Sequence, residues 1–156
     1  MVKIYADGAD LLSMKAAYSK GLVEGFTTNP TLMKLAGISD YMGFASEVLS
    51  NIKDMPISFE VFSDDFDEMY TQAKKLSSLG DNVYVKIPVT NTKSEFAGDL
   101  VKRLDGEGVK MNITAVFSIS QVKDILECIS TKSPHIISVF AGRIADTGKD
   151  PLPIMK

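Results

Sequence analysis

Lys86 is the residue in this chain best placed to do chemistry. It stands in Val83-Tyr84-Val85-Lys86-Ile87-Pro88-Val89, the most apolar setting of any lysine in the sequence. Burying an ammonium without a partner is costly, and a neutral amine in an apolar slot is what attack on a carbonyl carbon to form a Schiff base requires. The plainer alternative is a lysine that snorkels from a strand end or pairs with Glu60. Further polar residues stand at or near the C-terminal ends of apolar runs: Asp7, Asn29, Glu60, Asn112 with Thr114, and Ser138. Buried parallel strands ordinarily read as unbroken hydrophobic runs, and their C-terminal ends face the active site, so this recurrence points to one shared pocket.

Each position also has a local reading. Asp7 could take and return a proton from a substrate hydroxyl, or cap the loop over Asp10. Glu60, between Phe59 and Val61, could position a water or pair with Lys86. Asn112 and Thr114 are two apart and project to the same side of a strand, a pair of uncharged donors and acceptors suited to a hydroxyl or a water. Thr27-Thr28-Asn29-Pro30-Thr31 reads as a helix entry, with Asn29 as N-cap and Pro30 at the first helical position. Arg143 is one of two arginines and follows Gly142, just past the run that carries Ser138 and Phe140. A guanidinium there suits a phosphate or carboxylate. Arg103, in a polar helix, reads as surface.

These residues must be held by the elements around them. Short runs rich in β-branched and aromatic residues predict strands over 2–6, 22–26, 57–62, 83–89, 109–117 and 136–140. Between them, amphipathic stretches predict helices over 11–19, 42–52, 67–79, 93–104 and 120–129. Asp64 and Asp65 precede the third helix, Gly80 closes it, and Ser118-Ile119-Ser120-Gln121 offers a cap before the fifth. Alternating strand and helix means a parallel sheet with right-handed crossovers in one α/β domain over 1–156. Length favours an open, doubly wound sheet over a (β/α)8 barrel, which typically needs about 200 residues or more. The turn after the first strand, Ala6-Asp7-Gly8-Ala9-Asp10, however, lacks the G-x-G-x-x-G of a dinucleotide fold. Periodicity leaves both architectures open.

Composition excludes several classes. Of the 156 residues, 45% are hydrophobic and 24% charged, enough for a packed core. A net charge of −3 gives no electrostatic footprint for nucleic acid or an anionic membrane. No apolar run reaches the ~18 residues of a membrane span, and Met1-Val2-Lys3 leads directly into a strand-like run with no signal-peptide pattern. The single cysteine, Cys128, sits among Val122, Ile125, Leu126 and Ile129 and reads as a small buried hydrophobe. The single histidine, His135, follows Ser133-Pro134 at a loop-to-strand junction. One His and one Cys leave no zinc set and no Cys-His catalytic pair. The expectation is a cytoplasmic protein working through carboxylates, amides, hydroxyls or lysines.

Four motifs then carry a resemblance. Gly25-Phe26-Thr27-Thr28-Asn29-Pro30-Thr31, Val85-Lys86-Ile87-Pro88, Asn112-Ile113-Thr114 with Phe117-Ser118, and Ser138-Val139-Phe140-Ala141-Gly142-Arg143-Ile144 closely resemble the transaldolase family. The short spacing is similar to the small subfamily that includes fructose-6-phosphate aldolases. The resemblance implies a (β/α)8 TIM barrel, with about six βα units in this chain, and a class I, metal-free and cofactor-free aldol mechanism. Lys86 would form the Schiff base with C2 of a ketose phosphate, and Asp7 would deprotonate the C4 hydroxyl. Glu60 and Thr114 would hold the water that relays protons. Asn29 and Asn112 would bind the dihydroxyacetone hydroxyls with Ser138 nearby, Thr28 and Phe140 would stand among the substrate-binding positions, and Arg143 would contribute to the phosphate site. Sugar phosphates would be the partners, in a homo-oligomer, with no nucleic acid or membrane.

Two positions resemble transaldolases over aldolases: Glu60, where the aldolases carry Gln, and Phe140, where they carry Tyr. The family's seventh-strand Ser and Arg, and the C-terminal helix that small members exchange between neighbours, would lie in the two units beyond those legible here. An aldolase, or a shortened barrel that binds a sugar phosphate without turnover, are the alternative expectations.

Overall fold

The protein is described from a computed structural model covering residues 2–130 and 132–155. Strands and helices alternate along the chain: β1 (Tyr5–Asp7), α1 (Leu11–Ser19), β2 (Gly25–Thr27), α2 (Pro30–Leu35), α3 (Tyr41–Asn51), β3 (Ile57–Glu60), α4 (Phe66–Ser77), β4 (Val83–Pro88), α5 (Gly98–Gly106), β5 (Met111–Val116), α6 (Ile119–Leu126), β6 (Ile136–Val139), α7 (Ala141–Asp146) and α8 (Leu152–Met155). The strands follow one another in the sheet in chain order. The β1–β2, β2–β3 and β5–β6 pairs are parallel. This is the α/β, (β/α)-barrel type of fold, with six βα units in this chain.

The chain divides into two compact units, Met1–Phe62 with Gln72–Val85, and Ser63–Thr71 with Lys86–Lys156. In the first, Phe26, Val48, Ile52, Ile57, Phe59 and Leu76 are fully buried. Tyr5 pairs with Gly25 across β1–β2. A Cβ on Gly25 would lie 2.3 Å from the Tyr5 ring and 2.9 Å from the Pro56 carbonyl, so only glycine fits beneath that ring. In the second unit, Met69, Ile87, Leu104, Met111, Ile113 and Ile125 are among the fully buried side chains. Burial of these side chains supplies the main drive for each unit to condense. Among the described residues no helix is long and apolar enough to cross a membrane.

Local chemistry sets several boundaries. The α6 cap is a full capping box, with Ser118 and Gln121 each bonding the other's backbone. At α4, Asp65 accepts from the backbone N–H groups of Asp67 and Glu68, both at 3.0 Å, as its position suggests. Asp64 instead leaves the helix and accepts from the Thr92 N–H at 2.7 Å and hydroxyl at 2.6 Å, bonds that hold its carboxyl below the usual range. Other expectations are corrected. β1 begins at Tyr5 and β2 at Gly25, because Val2, Ile4 and Leu22 are exposed rather than packed. The helix expected over 93–104 begins only at Gly98. The Asn91 side chain accepts from the Lys93 and Glu95 backbone N–H groups, Ser94 adopts φ 64°, and Thr90 bridges antiparallel to Phe96, which folds the segment into a loop. The short helices α2, α7 and α8 are additional, although Asn29-Pro30 marks the start of the first.

At the N-terminal ends of β5 and β6 the lone histidine closes a buried polar cluster. His135 Nε2 lies 2.8 Å from Asp105 Oδ1, and its Nδ1 accepts from the Met111 N–H at 3.3 Å. That pattern assigns the neutral ring with its proton on Nε2. Asp105 Oδ2 accepts from the Ser130 N–H at 3.0 Å. Desolvation raises the Asp105 carboxyl, but the hydrogen bonds from Ser130 and His135 outweigh it and hold it below the usual range. Replacing His135 with Leu would leave the Met111 N–H and the Asp105 carboxylate without this partner. His135→Leu is therefore expected to cost about 1–3 kcal/mol in urea unfolding, with the slope unchanged. The stability that wild type holds over Asp105→Asn is expected to be complete near neutral pH. It disappears as the pH falls through the lowered carboxyl pKa, because a carboxylate depressed in the folded state stabilises only while ionised.

Candidate active site

In the first unit the candidate residues end consecutive strands. Asp7 closes β1, and its Oδ1 accepts from the Thr27 hydroxyl at 2.7 Å. Its loop-cap alternative falls to a neighbour: Asp10 is the N-cap of α1, accepting from the Ser13 N–H at 2.8 Å. Thr28 is fully buried, and its hydroxyl donates to the Ser58 carbonyl at 3.3 Å. Asn29 caps α2 through Oδ1, which accepts from the Leu32 N–H at 2.9 Å. Its side-chain carbonyl is thus engaged in the cap, and the amide NH2 is the part suited to a substrate hydroxyl.

Glu60 is the last residue of β3. Its backbone carbonyl accepts from the Tyr41 hydroxyl at 2.8 Å. The Tyr41 ring stands edge-on to Phe59 and Phe62, with centroids 6.2 and 4.6 Å away. Burial first, and the Glu60 charge second, push the Tyr41 phenol far up, so it remains a donor at any working pH. Tyr41 fixes the end of β3, a role that sequence reading missed. No strand pattern marks a tyrosine at the start of a helix, and its partner is distant in sequence.

In the second unit Lys86 lies within β4 and is 7% exposed, with Ile87 fully buried beside it. Asn112 and Thr114 lie on β5, 1% and 2% exposed. Ser138, on β6, donates its hydroxyl to Asn112 Oδ1 at 2.7 Å, so the structure brings these two predicted residues together. The Thr114 hydroxyl is different: its oxygen is buried and has no hydrogen-bond partner. Phe140 follows β6 and packs edge-on to Phe117, centroids 5.6 Å apart. Arg143 lies on α7, exposed, 3.7 Å from Asp146 in an ion pair one helical turn on. Arg103 is exposed, as expected, and its guanidinium stacks 3.5 Å above the Tyr70 ring.

Two other features are set aside on chemistry. A 430 Å3 cavity in the second unit is lined by Asp64, Asp65, Phe66, Asp67, Asn91, Lys93 and Glu95. None of the candidate residues lines it, and four carboxylates against one lysine repel a phosphorylated sugar. Cys128 donates to the Asp124 carbonyl at 3.3 Å, and burial pushes its thiol up, away from nucleophilic character. Among the described residues no three His, Cys, Asp or Glu side chains group as a metal site.

Comparison with known proteins decides the family. Residues 4–154 match the family model described as Transaldolase/Fructose-6-phosphate aldolase. The chain belongs to this family. It is 32% identical over 154 residues to a probable transaldolase of Dehalococcoides mccartyi, covering 99% of this chain and 68% of that protein. It is 36% identical to a probable transaldolase of Thermoplasma volcanium, covering 99% of this chain and 66% of that protein. The chain thus spans about two thirds of the length of these curated relatives. Among solved structures, a dihydrodipicolinate synthase from Rhodopseudomonas palustris aligns with a TM-score of 0.53 at 15% identity, covering 83% of this chain and 52% of that one. That likeness concerns the fold alone. Membership of the transaldolase/fructose-6-phosphate aldolase family supports an enzyme of the aldolase or transaldolase type.

The orphaned hydroxyl yields a stability prediction. A buried donor without a partner costs about 1–3 kcal/mol, and valine has nearly the shape of threonine. Thr114→Val is expected to raise the urea midpoint. A fall would mean that the hydroxyl serves the fold.

Proposed function

We propose that the chain is a class I transaldolase that carries a dihydroxyacetone unit from a ketose phosphate, such as fructose 6-phosphate or sedoheptulose 7-phosphate, to an aldose phosphate such as erythrose 4-phosphate. The observation that supports it most is Lys86, an amine almost wholly buried in an apolar strand. A primary amine held inside a strand is a nucleophile of the kind that forms a Schiff base with a ketone.

In this reading Lys86 Nζ adds to C2, and loss of water leaves a protonated imine. Asp7 takes the proton of the C4 hydroxyl, the C3–C4 bond breaks, and its electron pair moves to the imine nitrogen. The aldose phosphate departs and an enamine remains. The enamine carbon then attacks the acceptor aldehyde, whose oxygen regains a proton from Asp7. Water hydrolyses the new imine and frees Lys86. Glu60 and Thr114 hold that water; Asn29, Asn112, Ser138 and Thr28 bind hydroxyls of the ketose; Arg143 binds phosphate. No metal or cofactor is called for. The reading extends to a homo-oligomer acting in the cytoplasm in pentose phosphate metabolism.

Glu60 and Phe140 favour transfer over cleavage. The second reading, release of free dihydroxyacetone by a fructose-6-phosphate aldolase, would favour Gln and Tyr at these positions. Transfer from fructose 6-phosphate is expected to depend on added erythrose 4-phosphate, with glyceraldehyde 3-phosphate formation followed by a coupled assay. Lys86→Arg, which keeps a long basic side chain but offers no amine nucleophile, is expected to lower kcat by about a thousandfold or more. Free dihydroxyacetone formed at the same rate without acceptor would transfer the assignment to the aldolase. Full activity in Lys86→Arg would overturn both.

A further inference from the structure

The pairing of β5 with β6 contains an extra residue. Asn112 pairs with Ile136 and Ile113 with Ile137, but the next pair is Val116 with Val139. Thr114 and Ala115 therefore stand together against Ser138 alone, the two-against-one arrangement of a β-bulge. Ala115 adopts φ 57°, in the left-handed region that glycine or asparagine usually occupies. An alanine has no local reason to be there, and such a conformation persists only where its surroundings impose it. The flanking carbonyls are tied: that of Thr114 accepts from the Val89 N–H, and that of Val116 from the Phe140 N–H, both at 2.9 Å.

Two unfavourable features thus adjoin in sequence, the left-handed alanine and the buried, unpartnered Thr114 hydroxyl. Bulges commonly re-aim a side chain beside an active site. The extra residue also resets the register, so that Phe117 follows its pair to meet Phe140. Unbroken pairing would place Ala115 against Val139 and turn every later β5 side chain to the opposite face.

We infer that Ala115 is a positioning residue, whose left-handed bulge aims the Thr114 hydroxyl at the water it holds for the reaction and sets the Phe117–Phe140 contact. The inference rests on the transaldolase reading for what the hydroxyl serves, but its geometric half stands apart from turnover. Two measurements separate them. The first is a thermal-unfolding cycle on the full chain. Thr114→Val is expected to raise the midpoint by about 2–4 °C in wild type and in Ala115→Gly or Ala115→Asn, which accept positive φ. In Ala115→Val, whose β-branched side chain resists it, that increment disappears.

The second measurement is turnover. Ala115→Val is expected to lower kcat about tenfold or more with KM within about twofold, while Ala115→Gly and Ala115→Asn restore wild-type kcat. The same Thr114→Val increment in all four backgrounds, or a loss of kcat in Ala115→Gly equal to that in Ala115→Val, overturns the proposal. If Ala115→Val does not fold, the glycine and asparagine variants decide alone: both must keep the increment and the activity. A cycle that shows coupling in a chain without turnover upholds the bulge's hold on Thr114 and defeats the transaldolase reading instead.

Discussion

Lys86 is 7% exposed inside a strand whose neighbours Val85 and Ile87 are both fully buried. Holding an amine in such a place constrains the residues around it. The side chains of Val85 and Ile87 supply the apolar packing that stabilises β4 on either side of it. In parallel sheets interior positions ordinarily condense into the core and polar side chains are left to the C-terminal ends, an arrangement that β1 and β3 follow. Asp7 and Glu60 terminate β1 and β3, while Asn112 and Thr114 lie within β5 and Ser138 within β6.

These polar residues differ in what the fold itself asks of them. Asn29 is needed by α2 as a cap, and Thr28 by the Ser58 carbonyl. Thr27 orients Asp7, Tyr41 pins the end of β3, and Ser138 orients Asn112. Such second contacts narrow the freedom of each group before any substrate arrives, which is how a site becomes preorganised. Thr114 alone among the buried side chains described keeps an oxygen that the fold leaves unsatisfied. A group that costs stability without serving packing is the kind expected where function outweighs the fold.

The strands, and the places of the candidate residues along them, were legible where one physical signal dominates. The apolar runs around Phe59, Lys86 and Ile113 carry strong β-branched and aromatic character, and their strands fall close to where that pattern places them. Asn29-Pro30 and Ser118 announce their helices through capping chemistry. The pattern fails where tertiary contact overrides local preference. Val2, Ile4 and Leu22 look like strand residues but their side chains are exposed. The polar stretch after Thr90 carries helical periodicity, but the Asn91 side chain captures its backbone N–H groups. The His135–Asp105 pair joins residues thirty apart, which no local pattern encodes. The bulge at Ala115 is invisible because alanine gives no sign of positive φ.

The central claim is a covalent bond between Lys86 and a ketose, and trapping that bond tests it most directly. The chain is incubated with fructose 6-phosphate, reduced with borohydride, and digested for peptide mass mapping. The account predicts a three-carbon dihydroxyacetone adduct on Lys86, absent from Lys86→Ala. A folded chain that carries no adduct, or carries one on another lysine, would contradict it.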